Sequence, residues 1–179
     1  MWLAQVKAKA KRKNQILFSK DSLLLADLCQ LTEQANHRSL ILWALELAEE
    51  TARVLAEKYP EDRRPKEAVE AASSWAKGQI KMPIAKQAIL SCHAMAKELG
   101  TPADIARCHA VGQACSVVHT AGHALGYPMY ELTAIVLELG LDGCREPIEQ
   151  RVMYYEQRLR YWVEYEKTCQ QNWAGFLKK

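Results

Sequence analysis

The sequence is short of chain-breaking residues. It holds eight glycines and six prolines in 179 positions, and nowhere do they gather into a linker. That scarcity excludes collagen-like and low-complexity designs and leaves little material for a turn-rich β protein. β-Branched runs are short, and phenylalanine occurs only twice. The longest apolar patch, Leu40 to Ala48, contains Glu46 and is far too short to span a bilayer. The N-terminus does not read as a secretory signal, because its lysines follow the first apolar residues and no long apolar region comes next. The six cysteines form no CxxC pair, and without a signal they are expected as reduced thiols in a cytoplasm. A nucleophile elbow, a phosphate loop, an HExxH pair and an EF-hand loop are all missing. The chain is therefore expected not to be an enzyme and to need no cofactor.

Acid is missing from residues 1–20, which carry Lys7, Lys9, Lys11, Arg12, Lys13 and Lys20. The net charge is +3, so subtracting those six cations leaves the body at −3. The chain reads as one domain: a basic N-terminal arm or helix over 1–20 and a single helical domain over 21–179. The arm has apolar residues on either side of its charges (Trp2, Leu3, Val6, then Ile16 to Phe18) and fits a short amphipathic helix docked on the body. Its charges read first as a solvated face, with nucleic acid an unlikely partner. The arm is expected to be dispensable for the fold.

What the chain has in quantity is alanine, leucine, glutamate and lysine, all good helix formers. The spacing predicts an all-α protein, an irregular helical bundle or α-α superhelix of about seven to eight helices with no sheet. Asp21 is placed to cap a helix from Ser22 to about Gln34, and Asn36 a longer one to Lys58. Pro65 opens the next, and Gly78 and Pro83 bracket a break. A helix from Pro83 runs to Leu99. Thr101-Pro102-Ala103-Asp104 is a start signal for a helix expected to reach at least His119. A break or kink is expected between Thr120 and Pro128, followed by helix to Leu139 and a turn over Gly140 to Gly143. An aromatic C-terminal helix over 145–171 closes the chain. Glu156 and Arg160 are placed there to pair on its outer side. Tyr154, Tyr161 and Tyr165 fall beyond its apolar face, where exposed aromatics can mark a partner surface or pack against the basic arm.

The densest stretch in chemical terms is Arg107 to Tyr127, with three of the five histidines and many alanines and glycines. Small residues at helical spacing let backbones approach, which places this stretch in the middle of the core. On a continuous helix Cys108, Cys115, His119 and His123 form one stripe. Such a stripe admits a metal site built on His119 and His123 and completed by His93, His109 or Glu131, able to activate water. The other reading is structural. His37, Arg38, Arg64, His93, His119 and His123 sit among alanine and tryptophan, and buried polar groups must find partners. A polar network or pocket lining joining successive helices is expected, with Arg64 close to Glu67 or Glu70.

Several fragments then form an ordered set: Asn36-His37-Arg38-Ser39-Leu40 leading to Trp43-Ala44, Arg64-Pro65 with Glu67-Ala68, Trp75-Ala76-Lys77-Gly78, Cys92-His93-Ala94, Gly112-Gln113-Ala114, and His119 with His123 to Gly126. In that order and spacing the chain resembles a family of small all-helical bacterial immunity proteins, the fifth numbered group of polymorphic-toxin immunity families. The resemblance covers about residues 36–134. It departs from the family pattern at Asn36, where aspartate is usual, and at Pro128. It implies a non-catalytic cytoplasmic protein that binds and neutralises a cognate toxin. The metal-dependent enzyme and a nucleic-acid binder using the basic arm are the alternatives.

Overall fold

The computed structural model describes residues 1–178. Among them are eight helices and no strand, in agreement with the spacing: α1 (Trp2–Lys11), α2 (Ala26–Gln34), α3 (His37–Lys58), α4 (Arg64–Ala76), α5 (Met82–Met95), α6 (Pro102–Ser116), α7 (Gly126–Gly143) and α8 (Arg145–Glu166). Short 3₁₀ turns lie at Leu23–Leu25, Ala96–Glu98, Ala121–His123 and Gly175–Leu177. No helix among the described residues is long and apolar enough to cross a membrane.

Local chemistry sets most boundaries. Asn36 caps α3, its Oδ1 accepting from the Ser39 N–H at 2.9 Å. Its Nδ2 also donates to Glu166 at 3.0 Å, which an aspartate could not do. Pro65, Pro83 and Pro102 lie in first turns, where a missing N–H leaves no bond unmade. Gly140 breaks the end of α7 at φ +74°, a conformation that favours glycine.

Elsewhere the boundaries differ from expectation. Asp21 caps nothing; the Ser22 hydroxyl accepts from the Ser19 N–H at 2.9 Å, and a 3₁₀ turn precedes α2. The last helix stops at Glu166, short of Gln171. Glu156 does not pair with Arg160; burial and the charge of Asp27 push its carboxyl above the usual range. Most consequentially, α6 ends at Ser116 and not beyond His119. The Ser116 hydroxyl donates back to the Gly112 carbonyl at 2.8 Å. The following N–H groups of Val117 and His119 then bond three residues back, tightening the chain out of the helix. Because α7 begins at Gly126, Pro128 falls in its first turn and opens the helix.

The stretch rich in small residues does lie at the centre. Helix α6 packs against α3, α4, α5 and α7. Helix α3 touches α4, α6 and α8. Contacts between helices distant in sequence make this an irregular bundle, not a solenoid in which only neighbours touch.

The basic arm docks on the body as the amphipathic helix expected, and joins the same core. Trp2, Val6, Leu17 and Phe18 are buried with the body's residues. The Trp2 indole donates to Glu149 at 3.0 Å, and the Leu17 N–H to the Thr133 hydroxyl at 3.0 Å. At the other end Trp173, Ala174 and Leu177 are buried too, with the Ala174 N–H on the Ala76 carbonyl at 2.7 Å.

Candidate interaction surface

The polar residues singled out in the sequence do not form one network. They form separate ties between elements. His37 bonds the Val117 carbonyl at 2.6 Å, holding the first turn of α3 to the exit of α6. Arg38 donates to the Leu177 carbonyl at 2.7 Å and lies 5.5 Å over the Trp173 ring, clamping the C-terminal segment. Arg64 forks onto Asp62 and Glu98, not onto Glu67 or Glu70, so it ties the start of α4 to the turn after α5. Those bonds hold the Asp62 and Glu98 carboxyls below the usual range. His93 and His109 meet through their Nδ1 atoms at 2.8 Å, joining α5 to α6. A Cβ at Gly112 would overlap the His93 ring, so that glycine makes the pair possible. His123 lies 3.2 Å from the Gln113 amide oxygen. His119 is exposed and stacks on Trp75, with ring centroids 6.1 Å apart.

The cysteine–histidine stripe is thus cut in two. Cys108 and Cys115 are fully buried in α6, and burial pushes both thiols up to about 12. His119 and His123 lie past the helix end in turn and 3₁₀ backbone, so their four-residue spacing no longer aligns them. Among the described residues no three histidine, cysteine or carboxylate side chains converge as a metal site would require.

Two charged clusters escaped sequence reasoning, because their partners lie far apart in the chain. At one end of α6, Asp104 accepts from Lys58 at 3.0 Å, Tyr59 at 2.8 Å and Arg107 at 2.8 Å. Burial pushes this carboxyl up, but the three donors outweigh it and hold it below the usual range. Beside α8, Arg151 bonds Glu50, both oxygens of Glu131 and the Tyr127 hydroxyl, with Tyr155 also on Glu131 and Tyr154 on Glu50. Tyr154 is half-buried here, packed against Arg151 and Glu50 and not against the basic arm.

One surface stands out. Two adjoining cavities of 620 and 430 Å³ share Glu49, Arg53, Val69 and Ser73, forming a trough along α3. Helix α4 makes one wall, and Trp162 and Gln171 close the other end. The trough is lined by Glu46, Glu49, Glu50 and Glu70 against Arg53 and Lys66, but Arg158 and Arg151 from α8 neutralise Glu46 and Glu50. Net charge therefore does not distinguish it. The aromatics beside it do. Tyr161 stacks on Tyr165 with centroids 5.9 Å apart, and Trp162 meets both edge-on. Both tyrosines are nearly half exposed, at 46% and 44%. Glu46 fixes the base of this ladder: it accepts from Nη2 and Nε of Arg158 at 2.6 and 2.9 Å and from the Trp162 indole at 2.7 Å. Arg158 in turn lies 4.2 Å from the Tyr161 ring centre.

Tyrosine, tryptophan and arginine, the residue types enriched in interface hot spots, thus meet on one helical surface. The family model described as "Imm-5 like putative immunity protein" matches residues 30–158, and the chain belongs to that family. Neither curated proteins nor solved structures give a match.

Proposed function

We propose that the protein neutralises a cognate bacterial toxin by binding it in the cytoplasm, without catalysis, and that the trough along α3 with the Tyr161–Trp162–Tyr165 ladder is the toxin-facing surface. The observation that carries this reading is the pre-fixed ladder in a chain of the immunity family. Binding energy concentrates in rigid, partly exposed aromatics because little side-chain freedom is lost on contact. Glu46, through Arg158 and Trp162, holds the rings before any partner arrives. Tyrosine and tryptophan bury large areas with their polar tips still paired, which suits occlusion of an active site.

The test is co-expression with the toxin encoded beside the gene. The wild-type chain is expected to restore growth and to co-purify with the toxin. Replacing Tyr161 and Tyr165 together by alanine is expected to weaken binding by at least a hundredfold, on the order of 3 kcal/mol for two hot-spot residues. Circular dichroism is expected to stay unchanged, since both rings lie at the surface. Full rescue by the double variant would move the toxin surface elsewhere.

A further inference from the structure

We infer that α1 and the turn after it form a docking surface for the phosphate backbone of double-stranded nucleic acid, separate from the α3–α8 face. Lys7, Lys11, Arg12, Lys13 and Lys20 are exposed, and Lys9 is half-buried with its ammonium on the Ser19 hydroxyl at 2.9 Å. Among the described residues none of the six makes an ion pair, whereas Lys58, Arg64, Arg107, Arg151 and Arg158 all do. No acid occurs within residues 1–20 to neutralise them.

The sequence alone left this run as a solvated face on a helix expected to dock on the body. Attachment decides the matter. Trp2 and Val6 are sunk into the body, so the helix presents its charges from a fixed platform. The same burial removes the apolar face that a membrane-surface helix would insert. It also leaves the patch without an exposed aromatic ring on which single-stranded bases could stack, since Trp2 and Phe18 are both buried. The cations are lysine in all but one case. Lysine is depleted at protein–protein interface cores, whereas it binds phosphate readily as a point charge. A helix rises about 1.5 Å per residue, so Lys7 to Lys11 spans about 6 Å, Arg12 and Lys13 follow in the turn past the helix end, and one duplex strand advances about 3.4 Å per phosphate. The patch therefore covers roughly three phosphates, with Lys20 beside them. Nothing in it is built to read bases, so binding is independent of sequence.

The experiment is fluorescence anisotropy of the full chain on a labelled 20-base-pair DNA duplex between 50 and 200 mM salt. Micromolar binding at the low end is expected, with log K falling against log salt at a slope of about −3, because each phosphate contact adds roughly −0.9. The combined variant Lys7→Gln, Lys11→Gln, Arg12→Gln, Lys13→Gln is expected to bind at least tenfold more weakly with a flatter slope, its thermal midpoint within a few degrees of wild type. A charge-matched control, Lys66→Gln, Lys81→Gln, Lys86→Gln, Lys97→Gln, is expected to bind as wild type does, and so is the Tyr161→Ala, Tyr165→Ala variant. Absence of binding at 50 mM salt overturns the inference, and so does equal loss in the control. Displacement of the duplex by polyglutamate at matched charge concentration, or tighter binding to anionic vesicles than to DNA, assigns the patch to another partner and overturns it as well.

Discussion

Helices α6 and α8 hold the bundle together by opposite means. Ten of the fifteen residues of α6 are buried, and most of them are alanine, glycine, valine or cysteine. It is enclosed by smallness: neighbouring backbones and rings come close because little stands in the way. Only four of the 22 residues of α8 are buried, Ile148, Val152, Tyr155 and Leu159. It is attached by long side chains, with Arg151 and Arg158 reaching carboxylates on α3 and α7 and tyrosines packed beside them. A helix held by packing presents little surface. A helix held by its polar flank keeps its outer side free, and there the Tyr161–Tyr165 ladder lies.

The comparison is tested hardest at Arg151. Replacing it by alanine leaves Glu131 and Glu50 without their cation and removes a donor from Tyr127. Breaking a mostly buried charge pair by removing one partner costs about 3–5 kcal/mol. Urea unfolding is expected to show a loss of that size. A loss below about 1 kcal/mol would mean that the cluster behaves as surface charge and that α8 is held by its four apolar residues.

Gly112→Ala probes the other helix. A Cβ there would overlap the His93 ring and force it off His109. Overpacking costs about 1–3 kcal/mol, reduced by the ~1 kcal/mol by which alanine favours a helix. A clear net loss in urea midpoint is expected. At Gly143 the nearest atom to a new Cβ is that of Leu139 at 3.9 Å, so the same substitution is expected to be neutral or mildly stabilising. Equal effects at the two positions would show that α6 is not close-packed in the sense argued.

The two helices also differ in how far the sequence revealed them. The start of α6 was legible from Pro102 and its central place from its small residues, because both act locally, whereas the Thr101 side chain makes no cap bond. Its end was not: a back-bonding Ser116 hydroxyl leaves no periodic mark, and a stripe drawn through His119 continued a helix that had stopped. For α8 an apolar face of Ile148, Val152, Tyr155, Leu159 and Trp162 was legible, and all but Trp162, half-buried with its indole on Glu46, are buried. Its ties were not, since Arg151 and Glu50 lie 101 positions apart and Arg158 and Glu46 lie 112 apart. The docking of the arm was legible from Trp2 and Val6, but its tie to α7 was not, for the same reason. Leu17 bonds Thr133 across 116 positions, and nothing near Leu17 announces it.

The smallest expected effect is a pH dependence confined to the α5–α6 contact. His93 and His109 share one Nδ1 to Nδ1 bond, so one nitrogen donates and the other accepts, and two charged rings cannot make it. Burial lowers the His93 pKa below its ordinary value, and the neighbouring His109 and His123 lower it further. Burial alone lowers that of His109. A histidine whose folded pKa is depressed takes up protons more readily when unfolded, so stability rises with pH through that window. The contribution is complete above the unfolded value of about 6.5 and is lost as pH falls from there through the folded values. Asp62, Glu98 and Asp104 are carboxylates held low in the fold. Their contributions are present above about pH 4 and are lost only at lower pH. Glu156, raised by burial, adds stability as pH falls, so a drop in urea midpoint between pH 7.5 and 5.5 is carried by the histidines against it. A fall toward pH 5.5 is expected in the wild type, smaller than either substitution effect above, and His93→Gln is expected to flatten it. Midpoints that do not move over this range, or a slope unchanged by His93→Gln, would show that the α5–α6 contact owes nothing to the neutral pair and depends on the close approach at Gly112 alone.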